Sequence, residues 1–244
     1  MNKPGLYTVL SPALLHLYDL NNTIVVVIDV LRATSTIATV LHNGAKEVIP
    51  VDSVQRCIQL GKELECVTAG ERDGQIAPGL QYGNSSFEYP REFIEGKTLV
   101  LTTTNGTKLL HMALAKGATE IISGSFLNLS AVCDHLVQMK KNVILACAGW
   151  KDRVNMEDTM MAGAVVSIVE DYFSINCDSS RIAETLYKKA RKDMYGFMKS
   201  NDASHYHRLT NFGLERDLRH CLTTDLANVL PEYVNGKLVI QKKK

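Results

Sequence analysis

Chemically reactive side chains follow an apolar run near the beginning of the chain. The β-branched residues of 23–28 precede the carboxylate of Asp29, the guanidinium of Arg32 and the hydroxyls of Thr34 and Ser35. Ligands of open α/β sheets bind beyond the carboxyl ends of the parallel strands. The sequence therefore predicts an anion site, a metal site or both at this strand end. Asp29 could be a Mg²⁺ ligand, a nucleophile or the cap of the following helix.

Polar groups also follow the later predicted strands. Because the carboxyl ends of parallel strands share one edge of a sheet, we expect these groups to converge with Asp29 around an oxyanion and a hard cation. They are Glu71 and Arg72, the segment Thr104-Asn105-Gly106-Thr107, Gly124 and Ser125, Gly149, and Glu157 and Asp158 at the start of a long helix.

Each of these groups also has an ordinary structural interpretation. Asn105 and Gly106 could begin a helix whose backbone N–H groups bind an anion, or could simply form a cap and turn. Glu157 and Asp158 diverge by about 100° on a helix, so at most one is expected to point at the same atom as Asp29. Both also suit the positive end of the helix dipole. Glu71 and Arg72 could equally form a salt bridge that closes their loop.

Several classes of enzyme lack their motifs in this chain. The P-loop pattern G-x-x-x-x-G-K-[ST] and the dinucleotide pattern G-x-G-x-x-G are absent. Leu31 stands where the haloacid-dehalogenase phosphatases need a second aspartate. No cysteine has the Cys-and-Arg loop of the cysteine phosphatases, and the G-x-S-x-G pattern of serine hydrolases is missing.

The carboxyl-terminal part of the chain adds a histidine and a periodic set of polar residues. His205 is a candidate catalytic residue, although a single histidine in a helical stretch is more often structural. Asp217, Cys221 and Asp225 recur every four residues, so on one helix they would share a face. That face would be a second wall of the site or a helix-packing seam.

Strands alternate with helices at short spacing, which predicts an α/β fold with a mostly parallel sheet and helices on both faces. A more helical carboxyl-terminal part packs on this sheet, and the end of the chain forms an edge hairpin that turns at Asn235 and Gly236. We expect one α/β domain over 1–244, with a helical subdomain over 175–225 as the alternative. Strands are expected at 6–10, 24–30, 47–51, 66–69, 98–103, 120–123 and 142–148, helices at 33–42, 54–64, 108–116, 128–139, 157–173 and 179–223, and a loop at 73–90.

Composition limits the partners. Lys plus Arg number 27 against 26 for Asp plus Glu, so no global field favours nucleic acid or an anionic membrane. The run Lys242-Lys243-Lys244 is expected to be a solvated tail. Six scattered cysteines without a C-x-x-C pair, and the lack of a signal peptide or a membrane-length apolar run, predict a cytoplasmic protein. A homodimer is a reasonable expectation.

Short polar motifs follow one another along almost the whole chain. They are V-I-D-V-L-R-A-T-S-T at 27–36, G-E-R at 70–72, G-N-S at 83–85, T-N-G-T at 104–107, C-A-G at 147–149, E-D-T at 157–159, and S-H followed by spaced L, G, D, C and D at 204–225. Each motif is weak alone, but the ordered set resembles the 2-phosphosulfolactate phosphatase family.

The resemblance implies a Mg²⁺-dependent phosphatase that converts 2-phospho-3-sulfolactate to 3-sulfolactate and phosphate, a step of coenzyme M biosynthesis in methanogens. Related 2-phospho-hydroxyacids are alternative substrates. A small anion that carries phosphate, carboxylate and sulfonate needs several cationic or N–H-rich walls, with Arg153 or Arg208 as candidate sulfonate partners. A non-catalytic sensor of a sulfonated or phosphorylated organic acid is the alternative function, and it would share the same site without a metal.

The candidate residues fall into three groups. The catalytic candidates are Asp29, Arg32 and His205. The metal candidates are Asp29, Glu157 and Asp158. The substrate-binding candidates are Arg32, Thr34, Ser35, Arg72, Asn84, Ser85, Thr104, Asn105, Gly106 and Thr107.

Overall fold

Ten strands form one sheet that helices cover in the computed structural model, which describes residues 3–72 and 74–241. The strands are β1 (Leu6–Val9), β2 (Thr23–Ile28), β3 (Glu47–Pro50), β4 (Val67–Arg72), β5 (Gln75–Ile76), β6 (Thr98–Thr102), β7 (Glu120–Gly124), β8 (Asn142–Cys147), β9 (Pro231–Val234) and β10 (Lys237–Ile240). The helices are α1 (Ala33–His42), α2 (Val54–Leu64), α3 (Arg91–Ile94), α4 (Gly106–Ala115), α5 (Leu129–Met139), α6 (Met156–Val169), α7 (Asp178–Ala190), α8 (Met194–Ser200), α9 (Ser204–Asn211) and α10 (Glu215–Cys221).

The aliphatic strand β2 is buried on both faces. Ile24, Val26 and Ile28 belong to an apolar core that they share with α5, α6 and α7. Val25 and Val27 belong to a second core, with α1 and α4, on the opposite face. Successive side chains of a strand point to opposite faces, so an unbroken apolar run requires cover on both sides. The predicted α/β fold with helices on both faces is confirmed.

The sheet consists of two parallel groups joined by an antiparallel hairpin. Its strand order is β1-β8-β2-β7-β9-β10-β3-β6-β4-β5. The first group is β1-β8-β2-β7, and the second is β3-β6-β4. The β9–β10 hairpin lies between them, where β9 pairs with β7 and β10 pairs with β3.

The prediction of an edge hairpin is therefore wrong, because this hairpin fills the centre of the sheet. The turn itself lies at Asn235 and Gly236, as predicted, and both residues have positive φ. Leu238 is 1% exposed and packs in the core beside α1 and α4. A buried apolar side chain of this kind suits an interior strand.

Three successive antiparallel pairings lead from β7 to β3. The strands of the second group are therefore antiparallel to those of the first. The carboxyl ends of β2 and β6 nevertheless meet, since a Cβ on Gly106 would lie 2.7 Å from Asp29 Oδ2. We attribute this meeting to sheet twist, which rotates neighbouring strands by roughly 20–25° and accumulates across the hairpin. The expected shared edge of one parallel sheet is thus replaced by strand ends that converge from two parallel groups.

The helical carboxyl-terminal part packs on the sheet, as predicted. Ala183 of α7, Met198 of α8, Leu209 of α9 and Leu218 of α10 are buried in the core that contains Ile24. The predicted long helix ends at Val169, and the predicted helical stretch 179–223 is divided into four helices. Whether the chain forms one domain over 1–244 or carries a subdomain over 175–225 stays a prediction.

Smaller differences concern the segment 73–90 and the ends of the chain. The described part of this segment contains β5 and a 3₁₀ turn (Ser86–Glu88). Glu88 fixes the turn by accepting hydrogen bonds from the N–H groups of Gly83 and Ser85, at 2.6 and 3.1 Å. All six cysteines are free, and four of them are buried. No described helix combines the length and apolarity needed to cross a membrane. The predicted lysine tail lies outside the described residues.

Candidate active site

A polar cavity lies where the ends of β2, β4 and β6 meet the loop after β8 and helix α9. The space between its walls, including open solvent, is about 440 Å³. Its lining comes from sequence-distant segments and comprises Asp29, Leu31, Arg32, Glu71, Gly74, Asn84, Thr103, Thr104, Asn105, Trp150, Arg208 and Leu209.

The loop after β2 is held by the two hydroxyls that follow Asp29. Thr34 Oγ1 accepts a hydrogen bond from the Asp29 N–H at 3.2 Å, and the Thr34 N–H donates to the Asp29 carbonyl at 2.9 Å. Ser35 Oγ donates to the Val30 carbonyl at 2.8 Å. Neither hydroxyl lines the cavity. Thr34 and Ser35 therefore position Asp29.

The buried carboxyl of Asp29 is an unusually weak acid. Burial is the main cause that raises its pKa to about 7, and the charges of Glu71 and Glu157 act in the same direction. His205 and a hydrogen bond from the Gly106 N–H lower the pKa in part. A bound cation or an additional hydrogen-bond donor would favour the ionised form.

Arg32 lies in the same cavity and is fixed by a buried ion pair. Its Nη1 lies 3.0 Å from Asp217 Oδ1, and its Nη2 donates to the Gly74 carbonyl at 3.4 Å. Both side chains of the ion pair are less than a tenth exposed. The sequence motif thus brings Arg32 next to Asp29, and α10 holds the guanidinium in place.

Helix α4 begins directly against Asp29. Gly106 is its first residue, and a Cβ there would lie 2.7 Å from Asp29 Oδ2 and 3.1 Å from Ala33 Cβ. The N-cap residue Asn105 makes no side-chain cap bond, but the N–H of Thr107 donates to Thr103 Oγ1 at 3.2 Å. In return, Thr107 Oγ1 donates to the Thr103 carbonyl at 2.8 Å. The start of α4 therefore places the positive end of a helix dipole beside Asp29 and the cavity.

Glu71 connects β4 with this helix start. Its Oε1 accepts a hydrogen bond from Thr104 Oγ1 at 2.9 Å, and its Oε2 accepts one from the Gly74 N–H at 3.0 Å. The Arg72 side chain donates instead to the Glu71 carbonyl and to Thr102 Oγ1. Glu71 and Arg72 therefore do not form a side-chain salt bridge with each other.

The adjacent acids at the start of α6 point at different partners, as expected for neighbouring positions on a helix. Asp158 accepts hydrogen bonds from the N–H groups of Val30 and Gly149, at 2.8 and 3.0 Å, and so ties β2 to β8. Burial, followed by the charges of Glu157 and Asp29, raises the pKa of Asp158 well above its usual range. Glu157 forms a buried pair with His205 Nδ1.

His205 is buried behind the cavity. Its ring meets the Trp150 ring edge to face, with centroids 6.1 Å apart. Its Nε2 is buried and has no hydrogen-bond partner among the described residues. His205 orients Glu157 and does not itself line the cavity.

The predicted metal ligands are the carboxylates of Asp29, Glu157 and Asp158. In the described part of the chain, no three His, Cys, Asp or Glu side chains form a group that could hold an ion on their own. Mg²⁺ is commonly bound by one or two carboxylates together with substrate oxygens and water. Asp29 lines the cavity and could be such a ligand, whereas Glu157 is buried behind the cavity and already pairs with His205. Asp158 fits less well, because each of its oxygens already accepts a backbone hydrogen bond.

The remaining predicted residues are divided between the cavity and its surroundings. Asn84 lines the cavity, and its buried Oδ1 has no partner among the described residues. Thr104 and Asn105 also line it. Ser85 caps the neighbouring 3₁₀ turn by accepting from the Phe87 N–H at 3.3 Å. Arg72 lies in an adjacent groove beside Thr107.

The structure distinguishes the two candidate sulfonate partners. Arg208 lines the cavity, with its guanidinium carbon 4.8 Å from the centroid of the Trp150 ring. Arg153 is exposed and does not line it. Motif reasoning did not select Trp150, which lies one residue beyond the C-A-G motif.

The four-residue periodicity of Asp217, Cys221 and Asp225 predicts one helix face, but only the first two lie on one helix. Helix α10 ends at Cys221, and Asp225 lies beyond it with positive φ. Asp217 holds Arg32, whereas Asp225 accepts hydrogen bonds from the N–H and hydroxyl of Ser130 at the start of α5. The predicted shared face is therefore wrong for Asp225, whereas Asp217 and Cys221 do lie on one helix.

Comparisons with known proteins place this geometry in a wider context. The sequence profile of the family described as 2-phosphosulpholactate phosphatase matches residues 9–236. A protein of Thermotoga petrophila is 42% identical over 89% of this chain and 92% of its own length. A protein of Caldanaerobacter subterraneus subsp. tengcongensis is 39% identical over 89% and 90%, and one of Clostridium acetobutylicum is 35% identical over 89% and 92%. Each of the three is named as a probable 2-phosphosulfolactate phosphatase.

Proposed function

The chain belongs to the 2-phosphosulfolactate phosphatase family, and from that membership we propose that it hydrolyses 2-phospho-3-sulfolactate to 3-sulfolactate and inorganic phosphate. The observation that carries the proposal is the meeting of Asp29, Arg32 and the start of α4 in one cavity. A phosphate monoester needs positive charge around its oxygens, and this meeting supplies a guanidinium and the positive end of a helix dipole.

Substrate binding is assigned to the positive groups of the cavity. Arg32 is held by Asp217, so its guanidinium is already oriented before a phosphate arrives. The positive end of the α4 dipole attracts the phosphoryl oxygens on the other side. Charge on the transferring group then develops between fixed donors, which lowers the barrier more than donors that must reorganise.

Mg²⁺ is proposed as the cofactor, with Asp29 and Glu157 as its protein ligands. When bound, it would neutralise the phosphoryl oxygens and the charge of the clustered acids. Asp158 supports this arrangement by fixing the backbone at Val30 and Gly149. His205 keeps the Glu157 carboxylate oriented through their buried pair.

Asp29 has two alternative roles in this reaction, metal ligand or nucleophile. A nucleophilic Asp29 would carry the phosphoryl group before water releases it, whereas a ligand would never be phosphorylated. Acid quench during turnover followed by mass spectrometry of the Asp29 peptide separates the two roles.

Phosphate release from 2-phospho-3-sulfolactate by the purified protein tests the proposal. We expect turnover with Mg²⁺, loss of turnover with a chelator, and at least a roughly hundredfold lower kcat for Asp29→Asn. Asp134→Asn, which removes an exposed acid on α5, is the matched control and should keep full activity. Tight binding of the organic anion that ignores Mg²⁺ and never turns over would instead indicate the sensor.

Location, use of the product and assembly complete the proposal. Six free cysteines suit a reducing compartment, so we place the protein in the cytoplasm. Supply of 3-sulfolactate to coenzyme M synthesis applies to organisms that make this coenzyme. A homodimer stays a prediction, which light scattering of the purified protein tests.

A further inference from the structure

Arg208 is the second arginine of the cavity, and its surroundings differ from those of Arg32. It lies on α9, half-buried, with its guanidinium against the ring of Trp150 at 4.8 Å. Stacking on an aromatic ring fixes the plane of a guanidinium and leaves its edge donors available. Trp150 lines the same cavity, so the stacked pair forms one of its walls.

Among the residues that the structure describes, none accepts a hydrogen bond from the side chain of Arg208. Its Nε is buried and makes no hydrogen bond to any described residue. No described carboxylate forms an ion pair with it, whereas Arg32 has Asp217 at 3.0 Å. A buried donor without a partner is costly, and in native proteins such groups commonly mark the place of a ligand, ion or water.

Charge balance points to the kind of ligand. Asp29 and Glu71 line the cavity, and Asp217 offsets Arg32, so a multiply charged anion needs a further cation. The phosphoryl group is already assigned to Arg32 and the start of α4. Arg208 is the cation in the lining that remains for another anionic group.

We infer that Arg208 binds a second, non-transferred oxyanion of the substrate through the outer edge of its guanidinium. The inference rests on the proposed function, in which this oxyanion is the sulfonate or the carboxylate of 2-phospho-3-sulfolactate. Both groups accept the paired N–H donors of a guanidinium. Arg208 thereby makes the enzyme prefer substrates that carry a second anion over simple phosphate monoesters.

Four substrates test the inference with wild-type protein and Arg208→Ala. They are 2-phospho-3-sulfolactate, 2-phospholactate without the sulfonate, 2-phosphooxyethanesulfonate without the carboxylate, and isopropyl phosphate without either. We expect Arg208→Ala to lower kcat/KM for 2-phospho-3-sulfolactate by about 10- to 100-fold and to leave isopropyl phosphate within about twofold. A loss that disappears with 2-phospholactate assigns the sulfonate to Arg208, and a loss that disappears with the ethanesulfonate assigns the carboxylate.

Two further variants guard against a general structural effect. Arg208→Lys keeps the charge without the planar guanidinium. For substrates that carry the anion bound by Arg208, its kcat/KM should therefore lie between those of the wild type and Arg208→Ala. Added guanidinium ion should partly restore the kcat/KM of Arg208→Ala for those substrates alone. Arg153→Ala is the matched control, because it removes a nearby exposed arginine that does not line the cavity.

An equal loss of kcat/KM for all four substrates would overturn the inference, since Arg208 would then act only on the fold or the phosphoryl group. Equal losses for Arg153→Ala and Arg208→Ala would overturn it as well. A wild-type protein that hydrolyses none of the four would overturn the proposed function, and this inference with it, a result distinct from the other two.

Discussion

At the scale of single residues, acids that repel one another are concentrated in the cavity lining and in the buried layer behind it. Asp29 lies buried and is affected by the charges of Glu71 and Glu157, and Asp158 is affected by Glu157 and Asp29. Burial of such groups favours their neutral forms until a cation compensates them. We therefore expect ionisation of these acids, without a bound cation, to lower the stability of the folded protein.

The substitution Asp29→Asn should make the protein more stable at pH 8 than the wild type. The pKa of Asp29 is 3.8 in the unfolded chain and about 7 when folded, so the folded state holds a proton that the unfolded chain has lost between these values. Wild-type stability thus falls as pH rises through this window, and the amide variant lacks this fall. We expect a gain on the order of 1–3 kcal/mol at pH 8, vanishing below pH 4.

Urea denaturation at several pH values without divalent cations measures this difference. Asp134→Asn should show the wild-type pH dependence, because Asp134 is exposed. Wild-type protein that gains stability relative to Asp29→Asn between pH 4 and pH 8 would contradict the predicted sign.

Thermal unfolding tests the proposed metal without measuring turnover. If Mg²⁺ binds only the folded state, a free Mg²⁺ concentration of 100 times the Kd adds about 2.7 kcal/mol to the free energy of unfolding. Each kcal/mol raises the Tm of a chain of this size by roughly 2–4 °C. We expect Mg²⁺ to raise the wild-type Tm and to have little effect on Asp29→Asn. Equal shifts in both proteins would remove Asp29 from the metal site.

Asp217→Asn should weaken catalysis through Arg32. The substitution leaves the buried guanidinium without its ionic partner, so Arg32 is less firmly oriented toward the phosphate. We predict a KM increase of about 10-fold or more and a loss of stability of about 1–3 kcal/mol. Steady-state kinetics check the first effect and urea denaturation the second.

Glu215→Gln is the matched control for Asp217→Asn, since it removes an ion pair of the same helix. Its partner Arg219 is exposed, and such pairs contribute little. If the two variants changed KM equally, the buried pair would have no special role in positioning Arg32.

At the scale of elements, the decisive contact is the approach of α4 to the loop after β2. Gly106 and Asp29 touch because glycine has no side chain, and this closeness places the positive end of α4 beside the Asp29 carboxylate. The motif T-N-G-T predicted a helix start, but not that its glycine faces a carboxylate from another strand.

Gly106→Ala should reduce activity more than it reduces stability. The added Cβ would meet Asp29 Oδ2 at 2.7 Å and Ala33 Cβ at 3.1 Å, so either α4 or the Asp29 loop must move. Small displacements of reacting groups are costly, and we expect kcat/KM to fall about 10- to 100-fold. Kinetics with the folded fraction determined by circular dichroism provide the measurement.

Gly163→Ala is the control for Gly106→Ala, because it also adds a Cβ at a crowded glycine but lies away from the cavity. Its Cβ would lie 2.0 Å from the Ala183 carbonyl oxygen, between α6 and α7, with no contact to the cavity. The expected result is a lower Tm and an unchanged kcat per folded molecule. A normal kcat/KM in Gly106→Ala would show that the helix start tolerates displacement.

Local sequence patterns were sufficient for most elements and insufficient where distant segments determine the outcome. The predicted bounds of α1 and α2 agree with the structure, because the hydroxyls after Asp29 and the Ser53 cap act locally. Strand β4 continues to Arg72 because it pairs with β5, a partner that the loop-like composition of 73–90 did not reveal. Helix α3 is only one turn long and gave no periodic signal.

At the scale of the whole molecule, the β9–β10 hairpin connects the two parallel groups. Each of its strands pairs with one group through a single pair of facing residues, Ile122 with Glu232 and Leu238 with Val48. The central position of the hairpin makes its one buried leucine important for the whole sheet.

Leu238→Ala should lower the free energy of unfolding by about 2–5 kcal/mol, as expected for a buried leucine. Leu238 is 1% exposed, whereas the control Leu226 is 49% exposed and its truncation should change stability by less than about 0.5 kcal/mol. Urea denaturation followed by circular dichroism measures both. A Leu238→Ala variant as stable as Leu226→Ala would indicate that the two groups of strands hold together without the hairpin.

Those residues of the candidate site that belong to short sequence motifs could be predicted from the sequence. The stretch around Asp29 and Arg32 and the start of α4 lie together in the cavity, as their positions after strands indicated. Asp217, Trp150 and Arg208 required the packing of α9 and α10 over the strand ends, which no pattern within those helices specifies. Periodicity even suggested a shared face for Asp217 and Asp225 that the end of α10 removes.

The central position of β9 and β10 also determines the order of events during synthesis. These strands follow all the others along the chain, yet they lie between β7 and β3. While the ribosome is still producing them, β7 and β3 each expose an edge that could pair with another chain. A nascent chain of this protein therefore depends on its last strands to close the sheet, and aggregation should be greatest in the interval just before the hairpin emerges.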